Sequence, residues 1–331
     1  MGEKAPSWPV VLITTMRLWL ERHKLAKGDR RRSLLGLAVL VAAGLAVALA
    51  VVLLVQPGST GTTGTTRATA DQGGSTGAAK TQSAAAQARD AANLEAATRA
   101  RDQAAGWIAQ QVSSAAIVSC DPAMCPLLQA HGVPAAQVLV LLLASADPLG
   151  SDVIVATPAV RSQFGDRLVT VYAPEVLASF GSGDTRVDVR AIAPDGAQAF
   201  QAALVADRAE RVAAGGQLLR NNQVSASPPA RSALISGAVD PRLLVTLAAL
   251  AAQVKEPLTI MAFNDPSPGA PDVPLRSAEI SAAKPANLLS FLHAQRTPYL
   301  PAHAQVIQLA GGQNAVTIEY GAPGPLGLGG D

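Results

Sequence analysis

Residues that carry chemistry are scarce in this chain. Its 331 residues include two cysteines, four histidines, 3% aromatics and 15% charged side chains. The cysteines, Cys120 and Cys125, are spaced as "CDPAMC". A redox pair would want CxxC, and a structural zinc would need two more ligands. The histidines are His23, His131, His293 and His303, and the last two are ten residues apart with no metal-binding context. No GxSxG nucleophile elbow occurs, and no phosphate-binding glycine loop is followed by Lys. "GSGD" at 181–184 reads as a turn. No metal and no cofactor are expected.

Charge is scarce in a structured way. Residues 1–32 hold eight Lys/Arg against three Asp/Glu, and the remaining chain holds 18 against 21. A basic head on a slightly acidic body argues against nucleic acid as a partner of the body. It points to a lipid bilayer between the two. "SLLGLAVLVAAGLAVALAVVLLV", from Ser33 to Val55, contains no charge. About 20 apolar residues in a helix span a hydrocarbon core of about 30 Å. A signal peptide has a shorter apolar region and a small-residue cleavage site, whereas this run ends in "LLVQPGS". Arg30, Arg31 and Arg32 abut its amino end and no comparable cluster follows. The positive-inside rule therefore predicts a single-pass protein of the cell membrane, with a cytoplasmic N-terminus and an extracytoplasmic C-terminal region.

The pattern divides the chain further. Residues 8–27 mix apolar residues with cations, as an interfacial helix or a basic tail would. Residues 56–82 are rich in Gly, Ser and Thr and read as a disordered tether, open to glycosylation. An Ala-rich, proline-free stretch predicts a long helix over 83–113, projecting the folded part from the membrane. Two lobes follow, 107–212 and 217–321, and a disordered tail, 322–331. In the first lobe, "AAIVSC", "AQVLVLLLA" and "DVIVATPAV" read as buried strands, "RLVTVYA" and "TRVDVRAIA" as further strands, and 195–221 as a helix weakened at Gly215–Gly216. In the second lobe, Ser227 caps one helix and Gly237 stops it; Asp240 caps the next, with Pro241 at its first position. Leu243, Leu244, Leu247, Leu250 and Ala251 form the apolar stripe of that helix. "PLTIMAF" reads as a strand, and "QVIQLA" and "AVTIEYG" as a hairpin around "GGQN". The expected fold is an α/β or α+β extracytoplasmic region of two lobes.

Two resemblances accompany this reading, in a chain whose Ala, Gly and Pro content is associated with actinobacterial proteins. "IVSCDP", "LLQAHG" and "SDVIVAT", with Trp107 and Val112 before them, resemble the soluble domains attached to actinobacterial membrane glycosyltransferases. That resemblance covers about 55 residues and implies an α/β fold without the transferase. "SGAVDPRLLVTLAALAA" before a strand resembles an actinobacterial domain related to the zinc-dependent D-Ala-D-Ala peptidases. In that domain a Ser-Gly-His turn and an HxxGxAxDI motif complete the zinc site. Here "FNDP" stands at the turn, Asp272 at a histidine and Leu275 at a glycine; Glu279 alone keeps a ligand type. The resemblance thus implies a degenerate, metal-free relative within a membrane protein family of unknown function.

The candidate binding residues are Asp121, beside a strand end, and Asn264, Asp265, Asp272 and Glu279 in the second lobe. Asp121 reads first as a cap of the following helix, and Asn264 and Asp265 also read as Asx-turn residues. Cys120 and Cys125 form a disulfide if the domain is extracytoplasmic. The leading functional expectation is a non-catalytic binding or scaffolding protein of the cell envelope, whose partner is a cell-wall polymer or another envelope protein. The alternatives are a cell-wall hydrolase with unrecognised catalytic residues, and an anchor docking a cytoplasmic partner through residues 1–32.

Overall fold

Short Val/Ile-rich runs between Gly, Pro and Asp become the strands of two five-stranded sheets in the computed structural model. It describes residues 76–328 except 143–146, 255–256, 266, 271 and 310–311, with side chains from Ala86 onward. The basic segment with Arg30, Arg31 and Arg32, the span 33–55 and most of the tether lie outside the described residues. Among those described, no helix is long and apolar enough to cross a membrane.

The first lobe runs α1 (Thr76–Gln111), β1 (Val118–Cys120), α2 (Cys125–Ala130), β2 (Val138–Val140), β3 (Val153–Ala156), α3 (Pro158–Phe164), β4 (Glu175–Phe180) and β5 (Val187–Ala191). Its sheet has the order β2-β1-β3-β5-β4; β1, β2 and β3 are parallel, and β5 is antiparallel to both neighbours. The connecting α4 (Ala197–Arg220) leads to β6 (Val224–Ala226), α5 (Pro228–Ser236), α6 (Pro241–Gln253), β7 (Leu258–Asn264), β8 (Ser277–Ser281), α7 (Pro285–His293), β9 (His303–Gln308) and β10 (Asn314–Glu319). The second sheet has the order β6-β7-β8-β10-β9. The run β3–α3–β4–β5 and the run β8–α7–β9–β10 place their strands identically, the last strand inserted between the first two. The lobes differ at the preceding parallel pair: β1 lies parallel beside β3, whereas β7 lies antiparallel beside β8.

The period-two alternation of a strand explains the first core. Val153 and Val155 face a cluster containing Ala104, Trp107, Ile108 and Leu128, while Ile154 and Ala156 face Val160, Phe164 and Leu168 on the opposite side. Both faces are covered, so the strand is apolar throughout. In the second lobe Leu258, Ile260, Ile280, Val316 and Ile318 pack against the expected stripe Leu243, Leu244, Leu247, Leu250 and Ala251. Ser227 and Asp240 cap their helices through the amides of Ala230 and Arg242. Gly237 ends α5 in the left-handed region at φ 67°.

Several expectations are corrected. The Ala-rich helix does not merely project the domain: Ala100, Ala104, Ala105, Trp107 and Ile108 lie buried on one stripe, and its C-terminal half is a layer of the first core. "RLVTVYA" is not a strand. Leu168–Tyr172 forms a wide helical turn, with Leu168 and Tyr172 on the apolar cluster and Val169 and Val171 exposed. The strand comes next, at Glu175–Phe180. Gly215 is no weak point. A Cβ there would lie 2.3 Å from the carbonyl oxygen of Leu234, so glycine permits close approach of α4 and α5 within an unbroken helix. The expected disordered tail is tied down as far as Leu328: Ala322 exchanges backbone hydrogen bonds with Gln111 and Ser113, and Asp207 accepts from the Gly327 amide.

Candidate functional site

The expected acidic residues turn out to be engaged in local structure. Asp121 is 6% exposed; one carboxylate oxygen accepts from the amides of Ala123 and Met124 at 2.8 and 2.9 Å, and the other from the Thr157 hydroxyl. It is a turn and helix cap at the carboxyl end of β1. Cys120 and Cys125 form a disulfide across that turn, with Cα atoms 5.4 Å apart. Asp265 accepts from the Ser267 amide and lies 3.5 Å from the Arg276 guanidinium. Burial pushes its carboxyl above the usual range, opposed by Ser267 and Arg276. Asn264 reaches Glu279 at 3.5 Å across the β7–β8 pair, and Asp272 is exposed in the turn before β8. The structure therefore joins Asn264 with Glu279 and Asp265 with Arg276, and sets Asp121 in the other sheet. Among the described residues, no three His, Cys, Asp or Glu side chains converge as metal ligands.

The loop holding Asp265 serves the contact between the lobes. The carbonyl of Pro268 accepts from the Ser179 amide on β4 at 2.8 Å. Arg276, 1% exposed, donates to the Tyr320 carbonyl at 2.7 Å and the Ser267 hydroxyl at 2.9 Å, and its guanidinium lies 5.9 Å from the ring centre of Trp107 on α1. Nearby, Arg242 pairs with Asp240 at 2.8 Å and donates to the Gly321 carbonyl at 2.9 Å, holding the start of the C-terminal segment. These buried cations are structural rivets. Carboxylate, hydroxyl and carbonyl oxygens satisfy most of the donors that burial has stripped of water, while the Nε of Arg276 has no hydrogen-bond partner among the described residues.

An open cavity of about 300 Å³ lies at the opposite end of the first sheet from Asp121. Ile117 and Asp152 immediately precede the parallel strands β1 and β3, and the register aligns Val153, Ala191 and Glu175 across β3, β5 and β4. The cavity thus sits at the amino ends of the parallel strands. Leu149, Ile192, Pro194 and Phe200 supply apolar wall, and Pro323 and Gly324 of the C-terminal segment close one side. Its charged residues are Asp152 and Glu175. One oxygen of Asp152 accepts from the Ile117 amide at 2.8 Å. Glu175 is half-buried, and its carboxylate accepts no hydrogen bond from any described residue. Burial pushes its pKa from 4.5 up to about 7, offset in part by Arg211 and reinforced by Asp207. Glu175 also lines a second space of about 20 Å³ between the lobes, room for about one water, with Asp207, Asp240 and Arg276.

No family model matches this chain, nor does any curated protein or solved structure.

Open parallel sheets usually bind ligands at the carboxyl ends of their strands, the end where Asp121 lies. Here the disulfide turn and its cap fill that end. Glu175 left no signal: its strand was hidden by the more apolar "RLVTVYA" before it, and a lone glutamate between Pro174 and Val176 reads as a surface residue.

Proposed function

We propose that this chain is a membrane-anchored binding protein of the cell envelope. Its folded region is held outside the membrane by the 33–55 span and receives a ligand without chemically transforming it. The observation that carries this reading is the cavity: apolar walls from five chain segments around a carboxylate that forms no hydrogen bond within the described fold. A pre-formed, mostly apolar hollow with a few polar groups is the usual form of a small-ligand site. The engagement of Asp121 and Asp265 in capping and ion pairing supports binding over hydrolysis, because those carboxylates are already committed. The Cys120–Cys125 disulfide accords with an oxidising compartment, and the arginines at 30–32 with a cytoplasmic N-terminus.

Three measurements test it. Protease added to intact cells is expected to remove the region after residue 56, and protection of that region would overturn the topology. Retention of the full chain in detergent on isolated wall polymer, or its crosslinking to an envelope protein, is expected to weaken in Glu175→Ala. Turnover of a wall polymer by the purified chain would overturn the non-catalytic reading.

A further inference from the structure

We propose that the cavity at the amino end of the first sheet binds a small organic cation, a primary ammonium on an aliphatic stem. This deepens the binding reading above and rests on it. The first support is charge. The cavity is lined by Asp152 and Glu175 and by no Lys, Arg or His. The cation acting on Glu175 is Arg211, and that side chain is committed elsewhere: its Nε donates to Asp207 at 2.7 Å and its Nη1 to the carbonyl of Gly237. The cavity's own lining therefore carries two carboxylates and no cation, and Arg211 acts on Glu175 only from behind the wall.

The second support is geometry. Asp152 is oriented by the Ile117 amide through one oxygen, and its other oxygen accepts from no described residue. Ser151 is unsuited to hold an anion, because its hydroxyl donates within the fold, to the Pro148 carbonyl at 2.7 Å. The remaining wall is aliphatic and aromatic, with Leu149, Ile192 and Phe200 placed to take a hydrocarbon stem. The volume is at the small end of ligand pockets, which suits a stem of a few carbons. An ammonium entering here supplies the direct hydrogen-bond donor that Glu175 has from no described residue, and its cost of leaving water is offset by that charge-assisted bond. The raised pKa of Glu175 accords with a carboxylate waiting for a partner.

The test is a saturation-transfer NMR titration of the full chain in detergent with n-butylammonium, 1-butanol and butyrate at pH 8. The expected order is saturable binding of butylammonium, at least about tenfold weaker butanol, and no butyrate; tenfold corresponds to about 1.4 kcal/mol. Glu175→Gln and Asp152→Asn, which keep shape and volume, are expected to weaken butylammonium about tenfold while leaving butanol unchanged. Equal binding of butylammonium and butanol, both unaffected by the substitutions, overturns the cation assignment while leaving a binding cavity in place. A preference for butyrate overturns it as well. Failure of all three probes removes the cavity as a small-ligand site; retention on wall polymer or an envelope protein then decides the binding reading separately.

Discussion

Replacing Arg276 by Met tests whether the contact between the lobes depends on a buried cation. Methionine keeps much of the arginine volume and its contact with Trp107 but donates no hydrogen bond. The Tyr320 carbonyl then loses the 2.7 Å bond from Nη1, at about 1–3 kcal/mol for a buried acceptor left without a partner. Asp265 loses its cation. Breaking a buried pair costs about 3–5 kcal/mol, but this carboxylate is 11% exposed and keeps the Ser267 amide, which lowers its share. Burial already opposes the charged form of Arg276, so removing the cation returns part of that penalty. The net expectation is a loss of about 3 kcal/mol. For a folded region of this size that lowers Tm by roughly 6–12 °C. Differential scanning calorimetry at pH 7 reads it directly. Adding Asp265→Asn is expected to recover about half the loss, because the uncompensated charge is then gone. A Tm within about 2 °C of the parent for Arg276→Met would refute the reasoning. So would a double variant less stable than the single one.

Three further outcomes follow from particular contacts. Because the folded Glu175 holds its proton up to about pH 7 and the unfolded one only to about 4.5, its contribution to stability is present below 4.5 and is lost as pH rises to 7. Glu175→Gln is therefore expected to be more stable than the parent at pH 8, by up to roughly 3 kcal/mol, and to show a flatter pH profile of Tm; an unchanged profile would contradict the buried carboxyl. Gly215→Ala gains about 1 kcal/mol of helix propensity but drives a Cβ to 2.3 Å from the Leu234 carbonyl, and is expected to lose about 1–2 kcal/mol net in urea unfolding. Native protein is expected to show no thiol reactive to maleimide before reduction, and Cys120→Ser with Cys125→Ser to cost about 2 kcal/mol, the closure entropy of so short a loop. Two reactive thiols in the native chain would overturn the disulfide.

Local rules made much of this fold legible. Ser227, Gly237, Asp240 and Pro241 mark helix ends by capping chemistry confined to three or four neighbouring residues, and each is found where the pattern placed it. The hairpin of β9 and β10 and the strands β1, β3, β5 and β7 follow from apolar runs bounded by turn residues. The proximity of Cys120 and Cys125 follows from five residues of separation across a turn. What the local pattern could not decide was partnership over long distance. "RLVTVYA" and "PEVLASF" are both apolar, and the neighbouring elements alone make the first a helical turn over Phe164 and the second an edge strand. Gly215 reads as a flaw until α5 is laid against it. Asp121 and Asp265 invite a site until their amide and guanidinium partners appear, while Glu175 invites nothing until a sheet register aligns it with Ala191 and Val153 and the C-terminal segment closes over it. Caps, turns and strand periods are written within a few residues and survive in the sequence. A cavity joins residues from 117 to 324, and only tertiary packing brings them together.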